Sequence, residues 1–131
     1  MATPTPFSLL GVPDDEPPVL AITFLEPRVR ALADQVTWHF ERPGKEDESF
    51  RRIKDADAVI NIRSSVRFTR KVLAACPRLK ILSVWGTGVD HVDRPTASEL
   101  GLTVSNTPAY GAPYVAEHSL ALALAVSRPP R

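Results

Sequence analysis

Ile81-Leu82-Ser83-Val84-Trp85-Gly86-Thr87-Gly88-Val89-Asp90 is an uncharged apolar run that leads straight into two glycines one residue apart. Isoleucine, leucine, valine and tryptophan without a charge predict a strand buried on both faces of a sheet. Glycines at its end let backbone N–H groups approach a ligand where a Cβ would intervene. In open parallel sheets ligands bind beyond the carboxyl ends of the strands, so part of any site is expected here. A tight strand-to-helix turn that needs glycine only for its dihedrals explains the local pattern equally well.

The run Gly86-Thr87-Gly88-Val89-Asp90-His91 opens like a dinucleotide fingerprint, but His91 stands where the third glycine belongs. The turn also continues through Asp93 before a helix begins, so the nucleotide reading fails. A loop that holds a carboxylate through consecutive backbone N–H groups remains consistent with it.

Upstream, residues 1–18 are dense in proline and carry Asp14-Asp15-Glu16, which predicts a flexible lead-in. Val19 to Phe24 is expected as the first buried strand, followed by a short helix from Glu26-Pro27 to about Asp34. On this assignment Asp14-Asp15 precedes the first strand and is misplaced for an acidic pocket at strand ends. Gln35 to Phe40 predicts a second strand, and Pro43-Gly44 a turn. Glu46, Asp47 and Glu48 followed by Arg51, Arg52 and Lys54 match the charge order a helix dipole favours. Asp57 to Ile62 predicts a third strand ending at Arg63-Ser64-Ser65. Thr69 can cap a helix that stops before Pro77.

Downstream, Pro95 and Gly101 bracket a short helix, and Leu102 to Ser105 predicts a fifth strand. Strands alternating with helices at this spacing imply an α/β fold, a doubly wound parallel sheet of about five strands. Ser119 to Ser127 is a helix without charge. Its leucines at 120, 122 and 124 cannot share one face at about 100° per residue. Such a helix needs cover on more than one side, so a second domain or subunit is expected against Leu120 to Val126.

Sixteen basic and fifteen acidic residues give a net charge of +1, which offers no electrostatic case for nucleic acid or a membrane surface. The single cysteine, Cys76, excludes an internal disulfide. No signal peptide or membrane-spanning run stands out, and a cytoplasmic location is expected. His39, His91 and His118 lack metal-ligand spacing, so no metal is expected. Arg63 at a strand end can bind a carboxylate through two parallel hydrogen bonds, or can simply be a solvated surface arginine. Ser64 can add a hydroxyl or satisfy turn backbone. Glu117-His118 is a weak acid–base pair, because neighbours on a helix diverge by about 100°.

Four stretches together resemble the D-isomer-specific 2-hydroxyacid dehydrogenases. They are Ala74 to Lys80, Gly86 to Asp93, Gly101 to Pro108 and Val115 to Leu122, in the family's order and spacing. The resemblance implies a flavodoxin-like substrate domain over residues 19–131, ending in a long apolar interdomain helix, paired with a Rossmann domain across an active-site cleft. It implies that Gly86, Gly88 and Val89 hold the carboxylate of a 2-hydroxy or 2-keto acid through backbone N–H groups, with Arg63 and Ser64 nearby. Thr87 and Val115 would approach NAD or NADP. The family's cofactor fingerprint, catalytic arginine, and histidine with its acidic partner follow the apolar helix and have no match here. The chain is therefore expected to be a truncated substrate domain with no catalytic residue of its own, inactive alone. A stand-alone carboxylate-binding or interaction domain without catalysis is the alternative expectation.

Overall fold

In the computed structural model, which describes residues 5–16 and 25–127, five short strands form one parallel sheet in the order β2-β1-β3-β4-β5. The elements run β1 (Phe7–Val12), α1 (Glu26–Arg30), β2 (Ala33–Trp38), α2 (Glu46–Ile53), β3 (Ala58–Asn61) and α3 (Arg70–Ala74), then β4 (Ile81–Val84), α4 (Arg94–Glu99), β5 (Thr103–Ser105) and α5 (Ala112–Ser127). Strands added first to one side of β1 and then to the other give the flavodoxin-like order, with its switch point between β1 and β3. The predicted α/β class and strand number hold.

The N-terminus departs from the expectation. Phe7–Val12 is not a lead-in but an interior strand of the sheet, pairing Leu10 with Val36 on one side and with Ala58 on the other. The prolines misled because they flank the strand, at Pro6 and Pro13, and leave Phe7-Ser8-Leu9-Leu10-Gly11-Val12 free to form its ladder. The strand expected at Val19 to Phe24 lies outside the described residues. Asp14 and Asp15 consequently follow β1 and stand at the carboxyl end of the sheet.

Alternation along the strands builds two apolar layers. Ala58, Ile60 and Ile62 pack with Leu10, Val12 and Val29 on one face. Val59, Leu82 and Val84 pack with Phe68, Val72, Leu73 and Ala97 on the other. The short helices start where the side chains direct. The Thr69 hydroxyl accepts from the Val72 N–H at 3.4 Å, and the Asp93 carboxylate from the Thr96 N–H at 3.0 Å. Gly101, at φ 68°, ends α4. α5 stands apart, with Tyr114, Leu120, Leu122, Leu124 and Val126 all more than half exposed. Among the described residues no helix is long and apolar enough to cross a membrane.

Candidate functional site

The carboxyl ends of β1, β3 and β4 meet around one buried carboxylate. Asp14 is fully buried, and its oxygens collect hydrogen bonds from the loop that follows β3. Oδ1 accepts from the Ile62 N–H at 2.9 Å. Oδ2 accepts from Asn61 Nδ2 at 2.6 Å, the Arg63 N–H at 3.1 Å, the Ser65 N–H at 3.3 Å and Ser65 Oγ at 2.9 Å. Ser64 sits among these donors at φ 54°, a left-handed conformation that a side chain adopts only when its surroundings require it. Backbone N–H groups turned inward around a left-handed residue make an anion-binding concavity, and here the anion is the protein's own carboxylate. With its backbone so engaged, this loop turns the exposed Arg63 and Ser64 outward.

The loop after β4 is the converse case. Gly86 accepts a hydrogen bond from the Thr107 N–H, the Thr87 carbonyl accepts from Asn106 Nδ2, and Thr87 Oγ1 donates to the Thr107 carbonyl. Among the described residues no group accepts a hydrogen bond from the N–H groups of Gly86, Thr87, Gly88 or Val89. Neither Gly86 nor Gly88 has a positive φ, so turn dihedrals do not demand glycine at either position. A Cβ added to Gly86 would meet no protein atom within 4 Å. What Gly86 keeps clear is space outside the chain, whereas a Cβ on Gly88 would meet Asp90 Oδ2 at 3.7 Å.

His91 closes the loop. Its Nε2 lies 2.7 Å from Asn61 Oδ1, and its ring tilts against Phe68 with centroids 6.1 Å apart. Burial pushes its pKa below the ordinary imidazole value. The Asp14 and Asp90 carboxylates partly oppose that shift, and Arg67 reinforces it. Burial thus favours the neutral ring over the imidazolium.

Among the residues expected from sequence, Ser64 and Gly88 line one cleft of about 280 Å³ together with Arg67, Asp90 and His91. Arg63 projects from the end of β3, the strand paired with β4. Val89 turns its side chain into the core beside Val92 and Ala97, so only its N–H group is presented to a ligand. Thr87 and Val115 are exposed, the latter in the first turn of α5. Sequence reasoning missed Asp14, Asn61 and His91. The available signal for Asp14 was an apolar run, Phe7 to Val12, ending in Pro13-Asp14-Asp15.

Comparison with known proteins gives the family and the fold. Residues 19–126 match the family described as D-isomer specific 2-hydroxyacid dehydrogenase, catalytic domain, and the chain belongs to that family. The D-3-phosphoglycerate dehydrogenase of Mycobacterium tuberculosis is 40% identical over 113 residues, which cover 86% of this chain and 21% of the relative. The phosphoglycerate oxidoreductase of Vibrio cholerae superposes with a TM-score of 0.70 at 28% identity, covering 93% of this chain and 38% of that structure. The D-lactate dehydrogenase of Aquifex aeolicus, solved with NAD and lactic acid, shares the fold at a TM-score of 0.66 and 24% identity, covering 89% of this chain and 33% of its own. The chain spans about a fifth of the length of the curated phosphoglycerate dehydrogenase it matches.

Proposed function

We propose that this chain is the substrate-binding part of a nicotinamide-dependent oxidoreductase acting on the CH–OH group of a 2-hydroxy acid, reversibly with the 2-keto acid. The observation that carries this reading is the row of unengaged amides from Gly86 to Val89, of which Gly88 lines one cleft with Ser64. Consecutive N–H groups at a strand end favour an anion, and the substrate carboxylate is that anion. Arg63 adds a guanidinium, whose planar fork takes a carboxylate through two parallel hydrogen bonds. The Ser64 hydroxyl supplies a further polar contact beside the same loop.

A nicotinamide cofactor, NAD or NADP, accepts or supplies the hydride when bound. Open space at Gly86 and the exposure of Thr87 and Val115 fit a planar ring beside the substrate loop. The chain's own residues bind and orient the acid, and on this reading the chain alone turns nothing over. The exposed apolar residues of α5 are then the seat of a nucleotide-binding domain or a second subunit.

Titration of the 131-residue chain with glyoxylate, followed by amide NMR, tests the assignment. Saturable shifts at Gly86 to Val89 are expected. Arg63→Ala should weaken binding about tenfold or more, the usual scale for losing a hydrogen bond to a charged group. Unchanged affinity would remove Arg63 from the site.

A further inference from the structure

We infer that Asp14 is the positioning residue of the site: it shapes the Arg63–Ser64 loop directly and, through Asn61, sets the tautomer of His91 in the Gly86–His91 loop. The inference rests on the substrate reading above for the role of those two loops.

Both Asp14 oxygens already accept from backbone N–H groups, and the Asn61 atom 2.6 Å from Oδ2 is the amide nitrogen, which can only donate. The amide oxygen therefore faces His91, 2.7 Å from Nε2. An amide oxygen can only accept, which leaves Nε2 as the protonated nitrogen and Nδ1 as the lone-pair nitrogen of the neutral ring. A carboxylate that accepts at both oxygens, at the head of the chain, thus dictates every donor along it. Asp14 and Asn61 are both fully buried, so no water competes for these partners.

The same carboxylate occupies the inward N–H groups of Ile62, Arg63 and Ser65, which holds Ser64 in its left-handed turn. A backbone bridge couples the two loops in parallel. The Phe68 N–H donates to the His91 carbonyl at 2.9 Å, and the Asp93 N–H to the Phe68 carbonyl at 2.9 Å. The Asp14 loop is itself braced. Trp38 Nε1 donates to Asp15 at 3.0 Å, and Arg52 Nη1 to the Pro13 carbonyl at 2.8 Å. Asp14 is therefore anchored through β1 and β2 and transmits that position to both substrate loops. It touches no ligand itself.

The test reads the tautomer and the affinity separately. Imidazole 15N shifts of the unsubstituted chain at pH 7.5 should show His91 as the Nε2–H tautomer; an Nδ1–H pattern overturns the inference without any variant. In a folded Asp14→Asn variant the donor–acceptor order is broken. The His91 signals should move toward a mixture of tautomers, and glyoxylate affinity should fall about tenfold. Retention of both the tautomer and the affinity overturns the inference. If Asp14→Asn does not fold, Ser65→Ala decides: it removes one donor from the Arg63–Ser64 side and leaves Asn61 in place. It should weaken glyoxylate several-fold while His91 keeps its tautomer, and unchanged affinity overturns the inference. If the unsubstituted chain binds no glyoxylate, it is the substrate reading that falls, and the tautomer result still stands by itself.

Discussion

Gly101 lies at φ 68° immediately after α4, where a Cβ would crowd the next carbonyl, whereas Gly86 has no positive φ and opens on space. The two residues therefore predict opposite phenotypes. Gly101→Ala should cost about 1–2 kcal/mol in denaturant unfolding, the left-handed penalty of an L residue, and leave ligand affinity alone. Gly86→Ala should change stability by less than about 0.5 kcal/mol, since the added methyl meets no protein atom, yet weaken glyoxylate binding. Equal midpoints for the two variants would contradict this. The place of Gly86, Gly88, Arg63 and Ser64 after their strands was legible in the sequence, because each follows a strand that its own apolar run defines. Asp14 was not, since its partner Asn61 lies 47 residues away, and nothing local records that pairing. His91 likewise stood out only as a missing glycine and as a histidine without metal-ligand spacing, while its hydrogen bond crosses from the loop of one strand to the end of another.

Among the elements, α5 is the one whose sequence outruns its surroundings. Leu120, Leu122 and Leu124 are 62%, 53% and 60% exposed, whereas Leu82 in β4 is wholly buried. Leu82→Ala should cost about 2–5 kcal/mol, the transfer and cavity terms of a buried leucine. Leu122→Glu with Leu124→Glu should leave the unfolding midpoint nearly unchanged and reduce self-association in sedimentation velocity across a concentration series. A chain that stays monomeric at every concentration before substitution would contradict the role given to this helix as an uncovered docking face. Thr69 caps α3 as its position before that helix predicts, and Asp93, read from sequence only as the end of a turn, caps α4 in the same way. β1 departed from expectation, because proline density was weighed over a whole segment when the strand needed only six proline-free residues.

Charge acts on the whole molecule at both ends of the sheet. At the amino end, burial pushes the Asp57 carboxyl up. The Leu9 N–H at 3.0 Å and the Arg78 guanidinium at 3.0 Å, with Lys80 beside it, outweigh burial and hold the group below the usual carboxylate range. At the carboxyl end, burial lowers His91, and burial aided by Arg52 lowers His39. The two kinds of shift act on stability at different pH. A histidine with a depressed folded value binds its proton more readily when unfolded. Stability is therefore complete above about pH 6.5 and declines as pH falls toward the folded value. A depressed aspartate stabilises above about pH 4 and loses that contribution as pH falls through its lower folded value. Urea unfolding from pH 8 to pH 3 should thus show a plateau, a first decline below about 6.5 and a second below about 4, and His39→Gln should shrink the first. A profile flat between pH 7 and pH 5 would contradict the burial of both imidazoles.

The alternation of strands and helices, the parallel sheet, the glycine loop at the end of β4 and the charge-free run Ser119 to Ser127 are all properties of neighbouring residues, legible in the chain alone. Apolar periodicity, caps and turn chemistry act over a few positions and can be read where they stand. That Phe7–Val12 lies inside the sheet, and that the Asp14 carboxylate fills the turn behind Arg63, emerges only from the packed fold. Both depend on residues that meet from about fifty positions apart, as Asp14 meets Ser65 across 51. Such pairings carry no local pattern, because buried polar groups are satisfied by whichever partners the packed sheet brings to them.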